Sequence, residues 1–163
     1  MCRKDVRTSE IRFTNNQAKE SSLTKEEIKF HVKEFEECCI LSRELPNLFS
    51  DSLVYLMTKK RISNEELADK AWLDTRTIQR LRTDVNQNPS LATIVKICMA
   101  LKLPSMISEL MVWKAGKNYR EGTVDMAYRY LLTNCVGYDL WECNQVIESF
   151  NKGYPIFKVQ SKK

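Results

Sequence analysis

Residues 63–82 read SNEELADKAWLDTRTIQRLR, a pattern that predicts two short helices joined by a tight turn. Ser63 and Glu66 have the spacing of a capping box, in which each side chain bonds the backbone amide of the other at the start of a helix. Asp74 is a good N-cap for the second helix, because its carboxylate can accept from the first free amides. The stretch therefore predicts a helix, a turn and a second helix.

The second helix of this stretch has one apolar and one polar face. Ile78 and Leu81 point back toward the first helix. Ala68 lies where the two helices approach most closely, a position that needs a small residue. The outward face is rich in hydrogen-bond donors, as a helix in a DNA major groove requires. That face carries Thr75, Arg76, Gln79, Arg80 and Arg82.

The net charge of the chain is unevenly placed. The 163 residues carry a formal charge of +5. Residues 1–50 hold nine basic and nine acidic groups, residues 51–120 twelve and seven, and residues 121–163 five and five. All the net positive charge therefore falls in the block that contains the two helices, as expected of a nucleic-acid-binding face. Only four Gly and four Pro favour helices over turn-rich β structure.

Several classes of protein are disfavoured by features that the sequence lacks. No apolar run approaches the roughly 18 residues of a membrane span, and no signal-peptide core is present, so we expect a cytoplasmic protein. The six cysteines are then expected to be reduced thiols, and their spacing does not suit zinc or another metal. No catalytic motif or group of paired titratable residues is visible. We therefore predict no enzyme, no cofactor and no small-molecule substrate.

Composition and periodicity divide the chain into four predicted segments. Residues 1–22 are polar and lack a period, as in a flexible lead-in or the remnant of an upstream domain. The remaining segments are an N-terminal helix and linker at 23–48, the bundle that contains the motif at 49–120, and a C-terminal helical extension at 121–163. The basic tail of the extension has room for one short strand.

The N-terminal helix is predicted to begin at a Thr24/Glu27 capping box and to end before Pro46. Its apolar face is formed by Ile28, Val32, Phe35 and Cys39. His31 lies beside this face, where a partly buried, hydrogen-bonded imidazole is a simpler interpretation than a catalytic base. Later helices are predicted to be capped or opened by Ser90, Ser105, Thr123 and Asp139, the last in a capping box with Glu142, and one helix is predicted to end at Gly116.

Over roughly residues 50–105 the sequence resembles the lambda repressor/Cro-like helix-turn-helix family, often called the XRE type. In that family TQEELA, a turn, TISR and a later PSLETL…ALNLP recur, and here these places read SNEELA, TIQR and PSLATIVKICMALKLP. The resemblance implies an all-α protein, in which a five-helix bundle is flanked by the N-terminal helix and the C-terminal extension. It also implies double-stranded DNA as the partner and a homodimer on a two-fold site. The helix from Met106 to Ala115 and the C-terminal pair, with Trp113 and Trp141, are the expected dimer surface.

The resemblance also implies roles for single residues. Thr75, Arg76 and Arg80 would contact bases, with Gln79 near the groove edge, and Asn64 would contact phosphate. The cations at the end of the preceding helix either stabilise that helix end or contact the DNA backbone. They are Lys59, Lys60 and Arg61. Arg82 either adds positive charge near the groove or pairs with Asp84.

Two features depart from the family or extend beyond its core. Trp72 stands where the turn usually has Gly, so either the turn differs or the indole covers the bundle. The flanking segments LPNLFSDSLVYLM, KAGKNYREGTVDMAYRYLL and WECNQVIESF look like a group of regulators from Gram-positive bacteria. Some of these carry an upstream metallopeptidase-like domain of the ImmA/IrrE kind. This chain has no His-Glu-x-x-His motif, so that activity is not carried over.

Together these observations predict sequence-specific binding of duplex DNA in transcriptional control, with a repressor-like role. The alternative is a protein-interaction module, such as an antitoxin or an anti-repressor adaptor, that keeps the bundle without strong DNA affinity. A third interpretation is an enzyme with a reactive thiol at Cys38 or Cys39. Salt-dependent DNA affinity, protein binding and selective alkylation would separate the three.

Overall fold

A computed structural model of the chain describes residues 23–149 and 156–158, and this part of the chain is all-helical, as predicted. The helices are α1 (Lys25–Glu44), α2 (Phe49–Lys60), α3 (Asn64–Lys70), α4 (Thr75–Thr83), α5 (Leu91–Ala100), α6 (Ser105–Lys114), α7 (Thr123–Asn134) and α8 (Leu140–Glu148). Residues 1–22, and most of the tail in which a strand was predicted, lie outside the described ranges. Ile156–Lys158 form no strand.

Most of the predicted helix starts are confirmed. Ser90 accepts from the amide of Thr93 at 3.1 Å. Asp139 and Glu142 form the complete predicted capping box. The Thr24/Glu27 box is also complete, with bonds of 2.7 and 3.2 Å. The prediction that Ser105 caps α6 is wrong, because Ser105 is the first residue of that helix and Pro104 occupies the cap position without a side-chain bond.

Four helices end in the same left-handed turn. At the ends of α2, α3, α5 and α6 the residues with positive φ are Arg61 (54°), Trp72 (50°), Lys102 (48°) and Gly116 (67°). In each case the next amide bonds a carbonyl inside the helix, for example Leu103 to Cys98 at 3.1 Å. This is the Schellman arrangement, which satisfies carbonyls that the helix end leaves free. The Schellman turn ends each of these helices abruptly. The helix end at Gly116 was predicted from the sequence.

Helix α5 lies at the centre of the unit formed from Phe35 onward. It packs against α3, α6, α7 and α8, while α4 packs against α2 and α3. Within α5, Ile94, Val95, Ile97, Cys98 and Met99 are all buried. A helix surrounded by neighbours is buried on several faces, so a single periodic stripe underestimates its core.

Helix α1 crosses the boundary between two compact units, which meet at Glu34 and Phe35. Its predicted apolar face is largely exposed, with Ile28 at 47%, Val32 at 49% and Phe35 at 57%. The interpretation of His31 as partly buried is wrong, because its side chain is 63% exposed and lies 3.9 Å from Glu34. Periodicity marks a helix face as apolar but does not reveal whether another element covers it.

The C-terminal residues described are held by a buried amide. The side chain of Asn144 donates to the carbonyl of Phe157 at 2.9 Å and accepts from its amide at 2.8 Å. The Phe157 ring is 1% exposed and stacks on Tyr128 at 5.7 Å between ring centroids. The segment around Phe157 therefore packs against α7 through Tyr128 and is bonded to α8 through Asn144.

The thiols of the described residues are mostly buried. Cys38, Cys98, Cys135 and Cys143 are buried, and Cys39 is half-buried. Burial raises the pKa of the Cys98 thiol and that of the Cys143 thiol to about 12, which holds both in the unreactive thiol form near neutrality. Among the described residues, no group of three His, Cys, Asp or Glu side chains is arranged to hold a metal ion. No described helix has the length and apolarity needed to cross a membrane.

Candidate nucleic-acid interface

The turn between α3 and α4 is built around Trp72. The amide of Trp72 bonds the carbonyl of Asp69 at 3.2 Å, and the amide of Leu73 bonds that of Ala68 at 2.9 Å. Trp72 therefore keeps the left-handed conformation that Gly usually supplies, although a bulky residue there costs about 1 kcal/mol. Its half-buried side chain packs against the core. Of the two alternatives, the second holds: the turn is retained, and the indole packs against the bundle.

Helices α3 and α4 pack closely through small and apolar residues. Ala68 is 4% exposed at the contact, and Leu67, Ile78 and Leu81 are buried around it. At the start of α3 only half of the predicted capping box is present. The amide of Glu66 bonds Ser63 Oγ at 3.1 Å, but the Glu66 carboxylate instead accepts from Lys70 Nζ at 2.6 Å. A lysine four residues ahead competes for that carboxylate on the exposed face of the helix.

The outward face of α4 presents free hydrogen-bond donors. The helix begins at Asp74, whose carboxylate accepts from the amide of Arg76 at 2.8 Å. Arg76, Gln79 and Arg80 are exposed, and Thr75 is half-buried at the first turn. Within the described residues, the side chains of Arg76, Gln79 and Arg80 make no hydrogen bond or ion pair. The four residues predicted to read bases therefore lie together on one end and one face of α4.

Asn64 was predicted to contact phosphate, and Arg82 to add charge near the groove or to pair with Asp84; the structure joins these two side chains. The guanidinium of half-buried Arg82 donates from Nη1 to the Asn64 side-chain oxygen. This bond ties the last turn of α4 to the first residue of α3. Asp84, the alternative partner of Arg82, instead accepts from the Gln87 side chain at 2.8 Å and from the Asn86 amide at 2.9 Å. These bonds, that from Gln87 first, lower the pKa of Asp84.

The three cations at the end of α2 have different surroundings. Lys59 Nζ lies 2.6 Å from a carboxylate oxygen of Glu44 in α1 and 3.1 Å from the Tyr55 hydroxyl. Lys60 and Arg61 are exposed, and Arg61 occupies the left-handed position directly before α3. Lys60 and Arg61 are therefore better placed for phosphate than Lys59, whose charge is already paired.

A comparison with protein families gives this part of the chain a name. Residues 52–116 match the Cro/C1-type HTH DNA-binding domain. The match begins inside α2 and ends at Gly116 after α6, so it contains both motif helices and supports the resemblance to XRE-type proteins. Comparison with curated proteins and with solved structures found no significant match. The relation to Gram-positive regulators and to ImmA/IrrE fusions stays a prediction.

Two further cations that the sequence reasoning missed follow the matched residues directly. Lys117, in the loop after α6, donates from Nζ to the side-chain oxygen of Asn88, in the loop after α4. Lys117 and Arg120 line a polar cleft of about 470 Å³ together with Leu91 at the start of α5. In the sequence, these two cations are visible in the short segment KNYR that follows Gly116. Their distance in sequence from the motif concealed their relation to it.

Proposed function

We propose that the protein binds double-stranded DNA sequence-specifically through α4 and regulates transcription in a repressor-like manner. The proposal depends on three exposed side chains of α4, whose inner face is fixed by Ile78 and Leu81. Among the described residues, Arg76, Gln79 and Arg80 have no side-chain partner. The family match of residues 52–116 supports DNA binding independently. Donors held on a rigid helix lose little freedom when they meet base edges.

In this proposal one group of residues contacts base edges and a second group contacts the phosphate backbone. Arg76 and Arg80 make two-pronged contacts with guanine, and Gln79 suits adenine. Thr75 contributes its hydroxyl at the start of the helix. The Asn64 side-chain oxygen already accepts from Arg82, so its amide nitrogen is the group left to donate to phosphate.

The cations proposed to contact the phosphate backbone come from two parts of the chain. Lys60 and Arg61 lie just before α3, and Lys117 is bound to the loop that follows α4. Each cation that meets a phosphate releases counterions, which makes binding depend on salt without adding sequence preference. Phosphate contacts of this kind would fix the depth and the register of α4 in the groove.

One reading helix covers only about four to six base pairs, so we propose that the protein acts as a homodimer on a two-fold site. Helix α6 offers the surface. Met106, Leu110 and Trp113 have the spacing of one helical face, and Trp113 is 70% exposed. Trp141, at the start of α8, is also 60% exposed and lies in a cleft with Trp72 and Lys102. Exposed aromatic side chains of this size are typical of interfaces.

Selection of bound fragments from genomic DNA tests the proposal. We expect enrichment of a pseudopalindromic site, with protection of both half-sites in a footprint. Affinity for that site should fall steeply with salt, at about 0.9 unit of logarithmic slope for each phosphate contacted. A matched control uses the same fragment with one half-site scrambled. Absence of any enriched site would contradict sequence-specific binding, and a monomer on one asymmetric half-site would contradict the dimer.

The exposed tryptophans are also compatible with the second candidate function, a protein-interaction module. An adaptor would use Trp113 and Trp141 to bind another protein and would show no salt-dependent DNA affinity. The Trp113→Ala variant separates the cases. In a DNA-binding dimer it should weaken cooperative occupancy of the full site while leaving binding to an isolated half-site unchanged. In an adaptor it should abolish partner binding, with no DNA effect to measure.

A further inference from the structure

Helix α1 has two apolar stripes, and only one of them packs against the core. Cys38 and Leu45 are buried in the core cluster, and Leu41 packs against it. Ile28, Val32, Phe35 and Cys39 form the second stripe. At about 100° per residue, the second stripe is rotated by roughly 120° around the helix axis from the first. Among the described residues, three members of the second stripe are exposed and Cys39 is half-buried.

The second stripe has the spacing of a helix-pairing surface. Its residues follow one another at intervals of four, three and four, the heptad pattern of positions that face a partner helix. Ile28, Val32 and Phe35 are each about half exposed. Single exposed apolar residues are ordinary, but a continuous row along about three turns indicates an interaction surface.

We infer that a second copy of this chain covers the stripe, with the two α1 helices antiparallel around a two-fold axis. In this register Ile28 packs on Cys39 of the second copy, and Val32 packs on Phe35 of the second copy. Every layer then joins a larger with a smaller side chain, which suits close packing. The stripe is thus complementary to its own reverse, as an isologous interface requires.

The flanking charges select the antiparallel arrangement. Lys29 and Glu36 occupy equivalent positions on one side of the stripe, seven residues apart. In an antiparallel pair each Lys29 faces Glu36 of the other copy, which gives two ion pairs. In a parallel pair Lys29 would face Thr24 and no such pair would form. The interface needs neither DNA nor the α6 surface, so it stands or falls separately from the proposed function.

Charge exchange in the full-length protein tests the inference. Sedimentation velocity up to about 100 µM should show a concentration-dependent dimer of the wild type, as expected of a small interface. Lys29→Glu or Glu36→Lys alone should weaken dimerisation at least about fivefold, because each change places two like-charged pairs at the interface. The double variant Lys29→Glu/Glu36→Lys should restore it. Glu26→Lys, on the far side of α1, is the matched control and should have no effect.

The sedimentation series should include Trp113→Ala, because the α6 surface would also give dimers. Self-association through α1 should persist in Trp113→Ala, and adding Lys29→Glu to that variant should weaken it at least about fivefold. A wild type that stays monomeric, or single variants that the double variant fails to rescue, would overturn the inference. A monomer whose stripe is covered by residues 1–22 would give the first of these results.

Cross-linking fixes the direction of the two helices. Under mild oxidation Ile28→Cys should form an intermolecular disulfide with Cys39 of the second copy. Phe30→Cys, on another face of α1, is the control and should not. A disulfide between the two Cys39 residues of the wild type would instead show a parallel pair and overturn the antiparallel arrangement.

Discussion

Arg76 and Arg80 lie four residues apart on the exposed face of α4, with no partner among the described residues. We predict that Arg76→Ala or Arg80→Ala costs about 1–3 kcal/mol on the selected site and relaxes preference at one or two base pairs. The free energy of unfolding should not change, because neither side chain supports the fold. Fluorescence anisotropy on matched and scrambled sites measures both effects.

Arg43→Ala is the control for these variants, because Arg43 is an exposed arginine in α1 outside residues 52–116. It should leave discrimination unchanged. If Arg76→Ala and Arg80→Ala discriminated between the two sites as well as Arg43→Ala does, α4 would not be the reading helix.

Single residues also show where sequence reasoning succeeds and where it stops. Short-range relations were predictable, such as the Asp139 cap and the small residue at Ala68, because they depend on spacing within a few residues. The partner of Arg82 was not, since Asn64 lies 18 positions away and meets it only after α3 and α4 have packed. Long polar side chains take their partners from tertiary structure, and the same limit concealed the pairing of Lys59 with Glu44.

The helix ends allow a prediction about backbone strain. Lys102 is exposed and has a φ of 48°, whereas Gly116 occupies the equivalent turn at 67°. We predict that Lys102→Gly raises the free energy of unfolding by roughly 0.5–1 kcal/mol and that Gly116→Ala lowers it by about 1 kcal/mol. A Cβ at Gly116 would meet nothing within 4 Å, so only the backbone conformation is tested. Urea denaturation measures both, and equal stability of the two variants would contradict the account.

The bonds between Asn144 in α8 and the backbone of Phe157 give a second prediction at this scale. Asn144→Ala would leave the amide and the carbonyl of Phe157 without partners in a buried site. We predict a loss of roughly 2–4 kcal/mol in the free energy of unfolding, since each unsatisfied buried group costs about 1–3 kcal/mol. Gln145→Ala, at the neighbouring exposed position, should cost little. A thermal melt of Asn144→Ala that coincided with that of Gln145→Ala would refute the assigned bonds.

The stability of the whole molecule should depend on pH at the acid end. Bonds from Lys59 and then Tyr55 lower the pKa of Glu44 from its usual 4.5, and bonds led by that of Gln87 lower that of Asp84 from 3.8. A carboxyl group with a lowered pKa stabilises the fold above its unfolded-state pKa and loses that effect as pH falls through the folded value. We therefore predict a urea midpoint that is flat from pH 7 to about 5 and falls below about 4.5.

Glu44→Gln separates the two carboxyl groups in this experiment. It should lower the midpoint at neutral pH and leave a shallower decline in acid, driven by Asp84 and by Glu27, whose pKa the Thr24 bonds also lower. A decline as steep as that of the wild type would show that Glu44 does not contribute.

At the scale of the molecule, the all-helical class and the motif were predictable. Capping residues mark most helix starts, and apolar periodicity marks a buried face, within a dozen residues. What lies against each face was not. The stripe of Ile28, Val32 and Phe35 reads like any core face, and periodicity cannot tell a face that meets its own bundle from one that meets another chain. The central place of α5 was hidden for the same reason.

The burial of the thiols makes Cys39 a natural reporter of its own surroundings. It is the least buried cysteine of the described residues, and its buried neighbours should resist maleimide reagents far longer. Peptide mass spectrometry, which also separates the signal of Cys2, would then follow the labelling rate of Cys39 alone. If two α1 helices meet, that rate should fall as the protein is concentrated, so assembly can be followed by covalent footprinting without altering a single residue.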